Sequence, residues 1–232
     1  MIYTIWKKTS EEDSMLSQYT TVYEGGEGEI IVKKSRFIAT VRPVKTEEEA
    51  IAFIAEMKKK YWDATHNCSA YVIGERFQIQ RMSDDGEPQG TAGKPMLDVI
   101  MGEEIHDIAV VVTRYFGGTL LGTGGLVRAY SGAVKEGLAN SIIITKYKGY
   151  KLEFTTDYTN LGKIQYILGQ KKIQTLDTVY EDLVRMTVLV PEELIGQVTA
   201  EIVEGTNGQV EPQMGDACYF ADVAGEMMLW KE

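Results

Sequence analysis

The order of strands and helices along this chain predicts an α+β protein of two domains. A β-branched run at 108–113 leads through a glycine-rich loop into an amphipathic helix, and a complete β-α-β-β-α-β order begins at residue 150. With 232 residues, the chain is long enough for two domains that each bury a core. We therefore predict domains at 15–145 and 146–232, with the junction between Ile142 and Gly149.

Local patterns place the elements of the first domain. Thr46 and Glu49 form a capping box, and apolar side chains at helical spacing behind it predict a helix. A short helix is predicted from Met96 to Met101, and a longer one begins at Leu126. The strands are predicted at Gly28–Val32, Arg36–Val41, Ser69–Ile73, Gln78–Arg81 and Ile108–Thr113.

The second domain has the ferredoxin-like βαββαβ order. Pro191 and the two glutamates after it begin a helix, because proline suits the first turn and acids suit its positive end. The apolar tail Met227–Trp230 is expected to pack onto this domain. Its other elements are the strands Tyr150–Thr155, Ile173–Tyr180, Asp182–Val190, Val210–Met214 and Ala217–Phe220 and the helix Asn160–Gln170.

Residues 117–125, here called the glycine loop, contain five glycines between a strand and a helix. Backbone N–H groups and the positive end of the helix dipole at such a turn favour an anion, and an arginine flanks each side. The alternative is a tight turn with solvated arginines. The anion reading predicts a site, with sulfate or phosphate as an expected occupant, that contains Arg114, Tyr115, Phe116, Gly117, Gly118, Gly122, Gly124, Gly125 and Arg128.

Neither nucleotide-binding fingerprint fits this chain. Gly93-Lys94 precedes Pro95, and Pro88 stands where a P-loop needs its first glycine. The pattern G-x-G-x-x-G fails as well, because Gly124 and its neighbour run straight into an apolar helix. An NTPase and an NAD enzyme are therefore excluded, and no cofactor is predicted.

The charge distribution qualifies any role in nucleic-acid binding. A net charge of −10 opposes a general nucleic-acid binder, because phosphate contacts dominate that affinity. Residues 108–151, however, hold six basic residues and the single acid Glu136, so this segment can bind an anion locally.

Cysteine use and hydropathy point to the cytoplasm. The two cysteines, Cys68 and Cys218, lie in different predicted domains, so a disulfide framework is not expected. No apolar run approaches the roughly 18 residues of a membrane span, and the N-terminus lacks a signal-peptide pattern. We predict no membrane partner.

Residues 84–95, here called the acidic loop, form the richest cluster of ionisable groups. Adjacent carboxylates suit acid–base chemistry or a metal, but a sequence Asp-Asp-Gly-Glu is more typical of an exposed turn. His66 with Cys68 is a weaker protease-like pair, since no orienting acid is evident, and no spacing is typical of zinc, so no metal is predicted. The candidate residues in and near this loop are His66, Asp84, Asp85, Glu87, Gly90, Thr91, Gly93 and Lys94.

Four segments in order resemble the IMPACT/YigZ family. They are Lys34–Ile38, Ala64–Cys68, Asp84–Pro95 and Val111–Gly122, and the resemblance spans roughly residues 15 to 225. It implies an N-terminal domain like the second domain of ribosomal protein S5 and a C-terminal domain like those of elongation factor G. Family members open near the equivalent of Met15, so residues 1–14 are interpreted as a disordered leader or an early gene start.

The resemblance implies a role in translation, because eukaryotic IMPACT proteins interfere with activation of an initiation-factor kinase. The leading hypothesis is a binding protein that recognises RNA, a ribosomal component or a regulatory protein, without a catalytic residue. The alternative is a hydrolase for a small anionic or peptide substrate between the acidic loop and the glycine loop. A deep pocket containing His66 or Asp84 would favour the enzyme, and an open basic face would favour the binding module.

Overall fold

The computed structural model describes residues 15–230 and confirms the α+β class. The predicted leader, 1–14, lies outside the described residues. The chain divides into two compact units: Tyr19–Thr145, and the described residues up to Gln18 together with those from Lys146 onward. Independent folding of residues 146–232 stays a prediction, which a cooperative unfolding transition of that fragment would test.

The first unit is built around a five-stranded antiparallel sheet in the order β2-β3-β7-β4-β5. Outside this sheet, β1 pairs with the short β6 in parallel. The elements are β1 (Gln18–Glu24), β2 (Glu27–Val32), β3 (Ser35–Pro43), α1 (Glu47–Lys60), β4 (His66–Ile73), β5 (Ile79–Ser83), α2 (Gly93–Gly102), β6 (Ile105–His106), β7 (Ile108–Tyr115) and α3 (Thr123–Ala139).

Helices cover both faces of this sheet, which explains the unbroken apolar run of β7. Val110 and Val112 pack in the core cluster that contains α2 and α3, whereas Ala109 and Val111 pack in the cluster that contains α1. Successive strand residues point to opposite faces, so a strand covered on both sides is apolar throughout. Arg114 follows Val112 on the α3 side, and its side chain is therefore carried into the interior.

The second unit has ferredoxin-like topology. Its strands pair antiparallel in the order β11-β8-β10-β9, which is the fourth, first, third and second strand of the βαββαβ order, and β12 extends the sheet beyond β11. Its elements are β8 (Ile142–Thr156), α4 (Tyr158–Gln170), β9 (Gln174–Tyr180), β10 (Val184–Pro191), α5 (Ile195–Gly205), β11 (Gln213–Val223) and β12 (Glu226–Trp230).

Some element bounds differ from the sequence predictions. β1 was not predicted, and α2 begins at Gly93 rather than Met96. The two strands predicted after residue 210 are one strand, β11, whose pairing with β8 shifts between Met214 and Ala217. The predicted junction lies inside β8, and the apolar tail is strand β12. No helix of the described residues is long and apolar enough to cross a membrane.

Candidate binding site

A buried ion pair joins the acidic loop to the strand before the glycine loop. Arg114 Nη1 lies 2.6 Å from Glu87 Oε1, and the two side chains are 6% and 2% exposed. The same oxygen accepts a hydrogen bond of 2.7 Å from the Tyr130 hydroxyl on α3. Glu87 therefore links β7, α3 and the acidic loop at one point, and the interpretation of this acid as part of an exposed turn is wrong.

Aromatic rings enclose the guanidinium of Arg114. Its central carbon lies 5.3 Å from the ring centroid of Phe37 and 5.6 Å from that of Phe116, distances typical of cation–π contacts. Within residues 15–230, the buried Nε of Arg114 has no hydrogen-bond partner. Both side chains of the pair are almost fully buried, so loss of one charge would leave the other uncompensated.

His66 faces the same carboxylate from the start of β4. Its Nδ1 lies 2.8 Å from the carbonyl oxygen of Asp85, and a carbonyl only accepts, so this ring nitrogen donates. The other ring nitrogen, Nε2, lies 3.8 Å from Glu87 Oε2. The acidic loop therefore fixes the orientation of the imidazole.

Cys68 lies on the same strand but inside the core. Its Sγ is 3.0 Å from the carbonyl oxygen of Asp84 and 3.3 Å from the hydroxyl of Tyr130. Burial raises the pKa of this thiol to about 12, so it is neutral at pH 7 and a poor nucleophile. Burial likewise raises the pKa of the Tyr130 hydroxyl, which stays a hydrogen-bond donor to Glu87.

The two aspartates of the acidic loop are engaged within the protein. The Asp84 carboxylate accepts backbone N–H groups of Gly90, Ala92 and Gly93 at 2.8, 3.1 and 2.8 Å, and the last two lie at the start of α2, which this carboxylate therefore caps. Burial would raise the pKa of Asp84, but these three donors outweigh it and lower the pKa. Asp85 accepts the backbone N–H of Asn67 at 2.6 Å and pairs with Lys58 at 2.6 Å.

The remaining candidates of this loop have structural contacts. The Thr91 hydroxyl is buried and donates to the carbonyl of Pro88 at 2.7 Å, whereas Lys94 is exposed and pairs with Asp98. A Cβ at Gly93 would lie 2.9 Å from the backbone nitrogen of Ser83, so only glycine lets α2 begin against β5. Across the described part of the chain, no group of three or more His, Cys, Asp or Glu side chains could hold a metal ion.

The glycine loop is fastened to its neighbours by backbone donors. Phe116 N–H donates to Thr65 Oγ1 at 3.2 Å, and Gly117 N–H donates to Ser35 Oγ at 3.1 Å. A Cβ at Gly117 would lie 2.1 Å from the backbone carbon of Lys34, so the loop packs directly on the turn between β2 and β3. Only glycine permits this close approach.

The N-terminus of α3 faces outward. Gly122, with φ of +72°, precedes a helix of 17 residues, and no described side chain caps its N-terminus. Gly118 has φ of +82°, and Gly124 and Gly125 lie in the first turn of the helix. Free N–H groups and the helix dipole therefore remain available to a ligand.

Three exposed cations surround this helix end. Lys33 and Lys34 form the two-residue turn between β2 and β3, and Arg128 lies one turn into α3. Lys33 and Arg128 both line a pocket of about 180 Å³ beside Gly125. Among residues 15–230, none of the three cations makes an ion pair.

The lysine turn has an unusual backbone. Lys33 and Lys34 have φ of +47° and +68°, in the left-handed region that glycine and asparagine favour. Such residues cost about 1–2 kcal/mol each. The sequence analysis did not identify these lysines, although the two predicted strands on either side of them left room for only a tight turn.

The structure brings some predicted site residues together and separates others. Arg114, Glu87 and His66 meet in one network, whereas Arg128 stands apart from it on the outer surface. Tyr115 is half-buried and donates to Asp63 at 2.9 Å, and Phe116 is 46% exposed, so neither ring lies in a core cluster.

Fold and site together define a two-domain α+β protein whose glycine loop is exposed above a buried ion-paired network. The family models agree with this description. Residues 33–138 match the Impact N-terminal domain, and residues 154–209 match a domain of unknown function, DUF1949. The chain belongs to the IMPACT family. Both loops and the lysine turn lie within the Impact N-terminal match.

Relatives cover most of the chain. IMPACT family member YvyE of Bacillus subtilis is 46% identical over 88% of this chain and 94% of the relative. IMPACT family member YigZ of Escherichia coli is 38% identical over 78% of this chain and 89% of the relative. A solved structure described as a hypothetical protein has a TM-score of 0.56 at 33% identity and covers 87% of this chain and 99% of that one.

Eukaryotic proteins share a shorter part. Protein IMPACT-A of Xenopus tropicalis is 40% identical over 101 residues, which is 41% of this chain and 31% of that protein. The bacterial relatives are therefore alike over most of their length, and the eukaryotic relative is alike in one portion.

Proposed function

We propose that this protein is a binding module, associated with translation or its regulation, that recognises RNA or a ribosomal component through the glycine loop. The observation that carries the proposal is a group of three exposed cations, Lys33, Lys34 and Arg128, which lie around the start of α3 and make no ion pair among residues 15–230. The association with translation rests on the eukaryotic family members, and a regulatory protein is the alternative partner.

Elementary electrostatics favours an anion at this position. The aligned peptide dipoles of a helix place roughly half a positive charge at its N-terminus, and exposed N–H groups can donate to phosphate oxygens. Lys33 and Arg128 add two full charges on either side of one pocket. Arg128 adds a planar guanidinium, which suits two phosphate oxygens at once.

The strained lysine turn supports the same conclusion. A two-residue hairpin of this kind is formed most easily by Asn-Gly or Gly-Gly, so two lysines there destabilise the fold. Strain of this sort persists where the side chains have another use. An exposed pair of cations that contacts the glycine loop is such a use.

Binding of a labelled RNA, followed by fluorescence anisotropy over a series of salt concentrations, tests the proposal. Arg128→Ala is expected to weaken binding and to lower the log–log salt slope by about 0.7–0.9 for each lost phosphate contact. Lys135→Ala is the matched control, because Lys135 is an exposed cation two turns further along the same helix. An equal loss in both variants, or no binding by the unaltered protein, would refute the proposal.

A hydrolase remains the second candidate because of the His66 geometry. The imidazole donates from Nδ1 to the Asp85 carbonyl and presents Nε2 at 3.8 Å from the Glu87 carboxylate, and Arg114 holds a buried donor that is unpartnered among the described residues. Hydrolysis of chromogenic esters or phosphate esters that His66→Ala abolishes, with RNA binding retained, would favour this candidate. Equal background rates for both proteins would dismiss it.

A further inference from the structure

Three large apolar side chains of the first unit are exposed to solvent. Trp62 is 83% exposed, Leu120 is 82% exposed and Phe116 is 46% exposed. Isolated exposed hydrophobic residues are common on protein surfaces and need no explanation. Here, however, hydrogen bonds join the segment that carries Trp62 to the segment that carries Phe116.

The turn that carries Trp62 is hydrogen-bonded to the strand end that carries Phe116. The Tyr115 hydroxyl donates to Asp63 at 2.9 Å, and the backbone N–H of Phe116 donates to Thr65 Oγ1 at 3.2 Å. The backbone N–H of Thr65 in turn donates to the carbonyl of Arg114 at 2.9 Å. Residues 62–65 and 115–116 therefore lie side by side at the surface.

The same surface continues to the cations. Gly117 follows Phe116 and packs on the backbone of Lys34, and the neighbouring Lys33 shares a pocket with Arg128. Aromatic rings and cations thus succeed one another along one rim of the first unit. This rim, called the aromatic–basic rim, consists of Trp62, Tyr115, Phe116, Lys34, Lys33 and Arg128.

We infer that the aromatic–basic rim binds single-stranded nucleic acid, with bases stacked on Trp62 and Phe116 and phosphates held by Lys33, Lys34 and Arg128. The inference rests on the proposed function and names its ligand class. Proteins that bind single-stranded nucleic acid combine exposed aromatic rings with cations, because every base has a face that can stack on a ring. In a duplex those faces are already occupied by neighbouring bases.

Charge complementarity favours a polyanion over a neutral protein partner. Two acids on neighbouring segments have partners of their own: Asp63 accepts a hydrogen bond from Tyr115, and Glu29 forms two hydrogen bonds with Arg36 at 2.8 and 3.0 Å. The three rim cations have no such partner within the described part of the chain. Phe116 has one contact with the Arg114 guanidinium, and no ring contact among the described residues involves Trp62.

The test compares five probes on the full chain: a labelled 12-nucleotide oligo(U), the matching oligo(dU), a 12-base-pair duplex, inorganic polyphosphate and polyglutamate. Trp62→Ala and Phe116→Ala are each expected to weaken oligo(U) binding about 5- to 100-fold, the equivalent of one lost stacked base. Polyphosphate binding should stay unchanged in both variants and fall in Arg128→Ala. Equal losses with oligo(dU) indicate that the shared single-strand chemistry, rather than the ribose, is recognised.

Two controls separate stacking from general effects. Tyr166→Ala removes an aromatic ring that is 68% exposed in the other unit and should leave all affinities unchanged. Quenching of tryptophan fluorescence by oligo(U) should be reduced in Trp62→Ala, and melting temperatures should match the unaltered protein because this side chain is exposed.

The outcomes distinguish this inference from the proposed function. Polyphosphate, duplex and oligo(U) binding with no effect of Trp62→Ala or Phe116→Ala overturns single-strand stacking and leaves anion recognition in place. Absence of binding to every polyanion overturns both. Tighter binding of polyglutamate than of oligo(U) overturns the inference in favour of an acidic protein partner.

Discussion

Two arginines flank the glycine loop, and the structure uses them in opposite ways. Arg114 is 5% exposed and held by Glu87, whereas Arg128 is exposed beside a pocket. The residue type and its distance along the chain from the glycines therefore do not determine what each arginine does. The difference lies in which face of its element each residue occupies, and in whether a buried acid meets it.

Buried and exposed charges also differ in what they contribute. The buried pair is desolvated, so loss of one partner is costly, although the pair itself is weak evidence for net stability. The exposed cations interact through water, and each contributes little to folding. We therefore expect mutations in the network of Glu87 to act on stability and mutations on the rim to act on binding.

The largest effect is expected for Glu87→Ala. It leaves Arg114 buried without its counter-charge and Tyr130 without its acceptor, so the free energy of unfolding should fall by about 3–5 kcal/mol. Urea denaturation measures the change. In the double variant Glu87→Ala/Arg114→Met the buried charge is gone, and a large part of the stability should return. A loss below 1 kcal/mol in the single variant would mean that the pair is solvated.

A smaller loss is expected for Asp84→Ala. This carboxylate accepts three backbone N–H groups, two of them at the start of α2, and removal of a capping side chain costs about 0.5–2 kcal/mol. Its pKa is lowered in the folded state, so the stabilisation is present above the unfolded pKa near 3.9 and is lost as the pH falls through the folded pKa.

Measurement of unfolding at several pH values therefore tests the role of Asp84. The difference between the unaltered protein and Asp84→Ala should be constant near pH 7 and should shrink as the pH falls below about 4. A difference that persists unchanged at pH 2.5 would show that the carboxylate charge does not contribute to the cap.

The contrast between the two arginines also shows how far the sequence could predict this protein. The pattern of apolar residues was sufficient to predict the strands of the sheet in the first unit. β7, for example, is buried on both faces and is therefore a continuous apolar run in the sequence. The βαββαβ order of the second unit could be predicted from the sequence equally well. Strand β1 was missed because its buried residues, Tyr19, Thr21 and Val22, do not alternate regularly with exposed ones.

The site was less predictable because its contacts are non-local. Glu87 lies 27 positions before Arg114 and 43 before Tyr130, so no spacing rule joins them. Tyr130 looked like an ordinary residue on a helix face, and an Asp-Asp-Gly-Glu segment looked like an exposed turn. The lysine turn escaped notice because lysine is not a residue that favours positive φ.

A modest change of opposite sign is expected for Lys34→Gly. Glycine relieves the backbone strain at a φ of +68°, and this gain exceeds the cost of its greater freedom in the unfolded chain, so the free energy of unfolding should rise by up to about 1 kcal/mol. Loss of the lysine charge should at the same time weaken polyphosphate binding. Lys34→Ala separates the two effects, because it removes the charge and keeps the strain. Greater stability in Lys34→Ala than in Lys34→Gly would show that the turn is not strained.

The smallest effect on stability is expected for Arg128→Ala, the counterpart of the change at Glu87. The side chain is exposed and has no ion-pair partner among residues 15–230, so its removal should alter the free energy of unfolding by less than about 1 kcal/mol. Because the positive end of α3 is not capped by a described side chain, loss of a nearby cation can even stabilise the helix slightly. Thermal denaturation at low and high salt measures this: any gain should disappear at high salt, where the repulsion is screened. A clear loss of stability would instead place Arg128 with Arg114, as a structural cation, and would remove it from the binding surface.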